Sequence, residues 1–332
     1  MHAIVTGATG LLGRHLVKEL RQGGWSVTAI VRQTSNRQPL EQLGAVCVVC
    51  DLGRDHLDPN VLKNTDVIFH AAAAVSDWAP WSHFVANTIR PTEAICEAMV
   101  AAGCRRLVHF STVGVYRRPP HGTPVKEDFA LATTDRRNFY RRAKIESEKI
   151  VWQRQSGKQL DVTVIRPGML YGPGDRSMLA RIIPLLREQK ISFLGDPHVT
   201  LPLVHAGDVA RAAVLAVGST GSIGQAYNVI NPEKIMQEEF FNIIATLAGA
   251  SPVRRHVPYA LAYTIASAAE WFACLLHSKQ PPLLTRYRVF LFGYQRHYSI
   301  EKIRSTLGWE PQVGFRPGIQ EAVRWQLAPD HL

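Results

Sequence analysis

Tyr140 and Lys144 lie four residues apart in the run YRRAK. On a helix that spacing stacks the two side chains on one face. A free phenol, with a pKa of about 10, is a poor acid or base at neutral pH. An adjacent ammonium favours the phenolate and pulls that value down, so the pair can exchange a proton with a carbonyl or an alcohol. A second set of hydroxyls, Ser111 and Thr112, closes the apolar run HFSTVGVY and can hold a substrate oxygen beside the tyrosine.

A glycine triplet supplies the other half of the chemistry. TGATGLLG places Gly7, Gly10 and Gly13 between the first apolar run and an amphipathic stretch, with Thr9, Leu11 and Leu12 in the same turn. Glycine permits the tight turn and the close approach of a pyrophosphate, and the helix start offers free N–H groups to the phosphates. An acid at the end of the second strand would read the ribose of NAD. AIVRQTSNR places Arg32 there instead, followed by Ser35 and Arg37. A guanidinium fork suits a 2′-phosphate, so NADP(H) is favoured over NAD(H). Asp51 and Leu52 follow the third strand, where they would flank an adenine, and Ala71, Ala72 and Ala73 close the fourth where a ribose must come near. With an oxidised nicotinamide adding its positive charge, Tyr140 would pass a proton while hydride moves.

These residues need a sheet to hold them at one edge. Apolar runs at 3–6, 26–31, 45–50, 67–71, 106–111 and 162–166 predict strands, and 12–22, 92–102 and 140–155 predict helices between them. That alternation specifies an α/β fold, a doubly wound parallel sheet of the NAD(P)-binding Rossmann type. After Met169 a helix is expected near 178–188, a strand at 226–229, and helices punctuated by Pro232, Pro252, Pro258, Pro281 and Pro282. The expected division is a dinucleotide-binding domain at 1–168 plus about 200–230, and a smaller, mainly helical substrate-binding portion at 169–199 and 231–332.

Residues 257–276, VPYALAYTIASAAEWFACLL, are almost wholly apolar. Small residues and Glu270 within it favour a packed or pocket-lining helix over a peripheral membrane helix, and either over a span. Cys47 and Cys50 form a C-x-x-C spacing, but residues three apart on a strand face opposite sides, so plain core thiols are expected. His70 and His109 read as core, His205 as structural near the pocket, and Glu127–Asp128 as a solvated loop pair. No His, Cys and Asp set has metal-ligand spacing, so no metal is expected. The net charge of +11 is spread along the chain and densest at Arg136, Arg137, Arg141, Arg142 and Lys144. Lacking an interleaved aromatic motif, it does not point to nucleic acid. The opening MHAIVTG reads as a strand rather than a secretory leader, and cytoplasmic residence is expected, with membrane association left open.

TGATGLLG, HAAAA, Asn87, FSTVGVY, YRRAK, IRPGMLYGPGD and LPLVHAGDVA together resemble the extended short-chain dehydrogenase/reductases over nearly the whole chain. The resemblance implies that Thr112 is the catalytic hydroxyl with Ser111 its neighbour, that Asn87 helps order the active site, and that Pro167 and Gly168 lie against the nicotinamide. Met169 stands where sugar-nucleotide enzymes of this superfamily usually carry an asparagine. DWAPWSHF, STVGVYR and PPLLTRYRVFLFGYQRHYSIEKIRSTLGWEP look like the 3β-hydroxysteroid dehydrogenase branch, which includes the 2-alkyl-3-oxoalkanoate reductases. The implied activity is interconversion of a keto and a hydroxy group on a bulky, largely apolar small molecule, such as a β-keto acid, sterol or lipid-like ketone. A nucleotide-sugar epimerase or dehydratase with tightly held cofactor is the alternative. A non-catalytic dinucleotide sensor is the reading from another class, although such proteins commonly lose the tyrosine or lysine. Homodimers are common in the superfamily.

Overall fold

Seven short apolar runs pair in parallel in the computed structural model, which describes residues 1–120, 122–133, 138–278 and 280–328. They are β1 (His2–Thr6), β2 (Ser26–Val31), β3 (Val46–Val49), β4 (Val67–His70), β5 (Arg106–Phe110), β6 (Asp161–Pro167) and β7 (Gln225–Val229). Their spatial order is β7-β6-β5-β4-β1-β2-β3, so the chain reverses direction across the sheet between β1 and β4. Ligands of open α/β sheets bind at that switch point, outside the carboxyl ends of the strands.

The expected strands are present with ends shifted by a residue or so, and the reason for their continuous apolar character is visible in the packing. Along β1, Ile4 points into one core while Ala3 and Val5 point into the other. Helices Leu11–Gln22 and Ala206–Val217 cover the first face through Leu16, Val17, Leu20, Val209 and Ala213. Helices Arg90–Ala102 and Phe139–Ser156 cover the second through Ile95, Met99 and Val151. With both faces of the central strands covered, these strands are mostly apolar, and the polar residues buried in them, such as His70, Thr163, Arg166 and Asn228, are hydrogen-bonded. Cys47 packs on the first face and Cys50 on the second, as their spacing predicts, and all five cysteines are unpaired.

A further core joins helices Leu179–Arg187, Gln237–Leu247 and Phe315–Leu327 around Tyr171, Phe193, Phe240 and Phe241. It is tied to the sheet by Asp208, a fully buried carboxylate at the start of Ala206–Val217. Asp208 accepts hydrogen bonds from the backbone N–H groups of Gln312 and Val313 at 2.9 and 3.3 Å, and pairs with Arg211. The Trp309 indole donates to the Asp208 carbonyl at 3.0 Å. The run LGWEPQ is thereby held against the first helical layer.

Two expectations are corrected. Glu127 is not solvated: its carboxylate accepts from the Asn228 backbone N–H at 2.9 Å, and burial raises its pKa. It belongs with a buried network in which Arg166 makes a paired contact to Glu148 at 3.0 and 2.6 Å and donates to the Tyr116 hydroxyl at 2.9 Å. Asp128 alone is exposed. The apolar stretch forms helix Tyr259–Leu275, but it buries only Ala262 and Ala266. Small residues give it one narrow contact stripe on Leu194 and Val289. Leu261, Ile265, Trp271, Phe272, Leu275 and Leu276 are exposed, so most of the helix's large apolar side chains are not packed into the core. Among the described residues no helix is long and apolar enough to cross a membrane.

Candidate active site

The glycine turn follows β1 directly. Gly7 has φ +66°, and a Cβ there would lie 2.6 Å from the Ala72 nitrogen. That close approach places the turn against Ala71, Ala72 and Ala73 at the end of β4, where the Ala72 N–H donates to Thr6 Oγ1 at 3.2 Å. A Cβ on Gly13 would sit 2.2 Å from the Gly7 carbonyl oxygen, so the helix beginning at Leu11 can enter this closely only with glycine there. Gly10 caps the helix without a side chain of its own, leaving the first amides, at Leu11 and Leu12, without a side-chain acceptor. The Thr9 carbonyl accepts from Arg14 Nε at 3.0 Å. A turn kept bare of side chains and led by uncapped amides fits a dinucleotide pyrophosphate.

Arg32 is exposed beyond β2 and donates to the Asn87 side-chain oxygen at 3.4 Å. Arg37 follows on the same loop, its carbonyl opening the short helix Gln38–Gln42. Asn87 sits in the wide i→i+5 turn Val85–Ile89, and its amide donates to the His83 carbonyl at 2.9 Å. Asp51 accepts from the Gly53 N–H at 3.1 Å and Leu52 is buried, which shapes the loop after β3. Gly168 follows Pro167 at the end of β6, where a Cβ would meet the Pro202 carbonyl oxygen at 2.1 Å. All these positions fall at the carboxyl edge of the sheet.

The proton-transfer group is built on the first turn of helix Phe139–Ser156. Asn138 caps it by accepting from the Arg141 N–H at 2.9 Å. Phe139 leans on Trp81 with ring centroids 5.9 Å apart, and the Arg142 guanidinium lies 4.0 Å over the same indole. Tyr140 thus arrives beside Thr112, whose hydroxyl hydrogen-bonds the phenol. Thr112 also accepts from the Gly114 N–H at 3.1 Å, which fixes its rotamer. Ser111 is buried and its hydroxyl has no protein partner. Arg136 and Arg137, expected in the basic cluster around this motif, lie outside the described residues.

Lys144 is buried one turn on, and its ammonium donates to the Phe110 carbonyl at 2.8 Å. Burial pulls its pKa down to about 8, with Glu148 opposing. The expected depression of the Tyr140 pKa is not found in the protein alone. Burial raises it, the neighbouring Tyr287 adds to the rise, and the Thr112 hydrogen bond only partly opposes them. Phenolate formation therefore needs positive charge that the side chains here do not bring to the oxygen.

Behind Lys144, His70 and His109 are stacked with centroids 5.6 Å apart. His70 bonds Thr6 and Thr92 at 2.8 and 3.1 Å, and His109 bonds Ser147 at 3.3 Å. Burial, with Lys144 adding, holds His70 down at about 3; burial lowers His109 likewise, with His70 and Lys144 contributing. Both rings are neutral and structural. His205 caps helix Ala206–Val217 by accepting from the Gly207 N–H at 3.2 Å. Among the described residues no group of three or more His, Cys, Asp or Glu is placed to hold a metal ion.

The wall over Tyr140 comes from residues that sequence reasoning did not single out. Asp77, in DWAPW, ion-pairs with Arg288 at 2.7 Å and accepts from Thr285 Oγ1 at 3.0 Å. Thr285 caps helix Arg286–Gly293 by accepting from the Arg288 N–H at 3.2 Å. This sets Tyr287 against Tyr140 with centroids 6.5 Å apart. Phe290, Tyr294, Arg296 and Tyr298 continue the wall, with Arg296 over the Phe290 ring at 4.7 Å. The alternation of aromatics and arginines in RYRVFLFGYQRHY was the available signal.

Residues 3–229 match the NAD dependent epimerase/dehydratase family. The chain is 26% identical over 332 residues to the 2-alkyl-3-oxoalkanoate reductase of Stenotrophomonas maltophilia, covering 96% of this chain and 98% of the relative. It is 27% identical to 3beta-hydroxysteroid-dehydrogenase/decarboxylase isoform 1 of Arabidopsis thaliana, covering 96% and 78%. Among solved structures, UDP-glucuronic acid 4-epimerase from Bacillus cereus in complex with NAD superposes with a TM-score of 0.77 at 20% identity over 98% of each chain, a likeness of fold. The chain belongs to the NAD dependent epimerase/dehydratase family, and the dinucleotide-binding fold is that family's.

Proposed function

From that membership, we propose that the chain is an NADP(H)-dependent oxidoreductase interconverting a 3-keto and a 3-hydroxy group on a bulky, largely apolar small molecule. The observation carrying this reading is the placement of Tyr140 beside Thr112 at the sheet's carboxyl edge, one helical turn from buried Lys144 and near a turn kept tight by Gly7 and Gly13. The names of the two relatives, a 3-oxoalkanoate reductase and a 3beta-hydroxysteroid dehydrogenase, support the substrate class. Met169 packs against the C-terminal core and has no side-chain amide to offer a sugar nucleotide, which supports an apolar substrate.

When bound, the nicotinamide supplies or accepts the hydride. Thr112 orients the substrate oxygen, and Tyr140 gives its phenolic proton to the forming alkoxide or takes one from the alcohol. Lys144 is the buried cation next to that exchange, with Ser111 lining the same edge and Asn87 ordering the wide turn beside it. Gly7, Thr9, Gly10, Leu11, Leu12 and Gly13 would hold the pyrophosphate, Asp51 and Leu52 the adenine, and Ala71 to Ala73 with Pro167 and Gly168 the ribose and nicotinamide end. Arg32, with Arg37 behind it, would take the 2′-phosphate; exposed and free of any carboxylate among the described residues, Arg32 is available to do so. The division into a dinucleotide-binding domain (1–168 and about 200–230) and a substrate-binding portion belongs to this reading.

Lipid-surface contact through the exposed apolar side of helix Tyr259–Leu275 also belongs to it, supported by exposed Arg254 and Arg255 just before that helix. So do cytoplasmic residence, supported by five unpaired cysteines, and a homodimer, supported only by the resemblance. The test is a titration with NADPH and with NADH, followed by turnover on β-keto acids, steroids and aryl ketones. NADPH binding at least tenfold tighter, lost in Arg32→Ala, supports the cofactor assignment. Absence of turnover on every class refutes the reductase reading, and a bound dinucleotide that does not exchange favours an epimerase or dehydratase.

A further inference from the structure

Arg296 lies in the wall over Tyr140, only 6% exposed, and its Nε has no hydrogen-bond partner. One Nη donates to the Leu291 carbonyl, and the guanidinium otherwise faces rings: Phe290 at 4.7 Å, with Tyr287, Tyr298 and Tyr259 nearby. A second cation in reach is Arg141, 5.8 Å over the same Phe290 ring, with its own buried Nε unpartnered. Four other buried or half-buried arginines have carboxylates: Arg166 has Glu148, Arg211 has Asp208, Arg286 has Glu270 and Arg288 has Asp77. Among the described residues Arg141 and Arg296 ion-pair with none. A buried charge without a counter-ion is costly and is kept where a ligand brings the opposite charge.

We propose that Arg296, with Arg141 beside it, is the recognition site for a carboxylate carried at the reacting end of the substrate. The inference rests on the oxidoreductase reading and narrows it to 3-oxo or 3-hydroxy acids. The free Nε edge of a guanidinium fork matches a planar carboxylate. Tyr287 bridges from this site to Tyr140, so a substrate anchored by its acid group presents its neighbouring oxygen to the proton donor. The aromatic walls take the adjoining chain. Arg296 acts here as a specificity residue, and Tyr140 keeps the chemistry.

The test is calorimetry of a long-chain 3-hydroxy acid and its methyl ester on the NADP⁺ complex, with initial rates on the matching 3-oxo acid and ester. The acid binds at least about tenfold more tightly than the ester in the unaltered protein, the ratio a charge-assisted hydrogen bond supplies. Arg296→Met removes that preference, raising KM for the acid at least about tenfold more than KM for the ester. Arg141→Gln removes part of it, and Arg296→Lys restores part. Equal binding of acid and ester, no binding of the acid, or an Arg296→Met loss shared equally by both overturns the proposal. Reduction of neither compound despite a clear acid preference would instead strike the reductase reading and leave the carboxylate site standing.

Discussion

Replacing Lys144 by methionine is expected to make the cofactor-free protein more stable at pH 7 while abolishing turnover. Its ammonium is buried, and burial lowers the pKa from 10.5 to about 8. The unfolded chain holds its proton up to about pH 10.4. Between the two values the unfolded state binds more protons than the native one, so this residue makes stability rise with pH from about 8 to 10.5. Below pH 8 the native protein carries the full cost. At about 1.4 kcal/mol per tenfold change in proton affinity, that cost is roughly 3 kcal/mol. Methionine fills similar volume and removes it, but leaves the Phe110 carbonyl without its 2.8 Å donor. That loss offsets about 1 kcal/mol, for a net gain of about 2 kcal/mol at pH 7. Urea unfolding of both proteins at pH 7 and pH 10 measures it, with the gain shrinking toward zero at the higher value. A Lys144→Met protein less stable by the same amount at both pH values would refute the argument.

Tyr140→Phe should lower turnover by about 10² to 10⁴, the worth of a positioned acid or base, with NADPH binding unchanged in the same titration; a silent change would identify a dinucleotide sensor. Gly13→Ala would push a Cβ to 2.2 Å from the Gly7 carbonyl oxygen, so loss of dinucleotide binding and a lowered Tm are expected by calorimetry. Glu148→Gln breaks the buried pair to Arg166, leaves a guanidinium uncompensated and should cost about 3–5 kcal/mol in chemical denaturation. Arg296→Met removes a buried cation with no carboxylate among the described residues; its denaturation midpoint should rise even as acid binding is lost.

The Rossmann half was legible because its signals are local. A strand buried on both faces must be mostly apolar, and a glycine turn must keep Gly7 and Gly13 bare, whatever the rest of the chain does. Tyr140 and Lys144 were legible for the same reason: four residues on one helix fix their relation. Residues brought together over long separations were not. Nothing near Glu127 announces that its carboxylate will cap Asn228 a hundred residues on, or that Asp77 will organise Thr285 and Arg288. The apolar run 257–276 misled because composition reports hydrophobicity without direction. Its small residues form the contact stripe, and its large ones face outward. The rise in the tyrosine's pKa in the protein without cofactor was not legible, because a lysine one turn away does not imply an ammonium at the phenol oxygen. Here that ammonium turns to the Phe110 carbonyl.

The excess of basic residues, +11 in formal charge, is better understood from where the carboxylates are than from the total. Buried acids are spent on scaffold: Glu148 on Arg166, Asp208 on Arg211 and the Trp309 segment. At the carboxyl edge of the sheet several cations ion-pair with no carboxylate among the described residues, although Arg288 has Asp77. Lys144 faces a carbonyl, Arg141 and Arg296 face aromatic rings, and Arg14 is pressed by burial and by Arg176 beside the glycine turn. His70 and His109 are held neutral, so they add nothing to this field. Uncompensated positive charge focused in a low-dielectric cleft raises the local concentration of anions and is screened by salt. The two ligands under the present reading, a phosphorylated dinucleotide and an acid-bearing substrate, are both anions. A single electrostatic arrangement, unfavourable to the empty fold, would then serve binding of both.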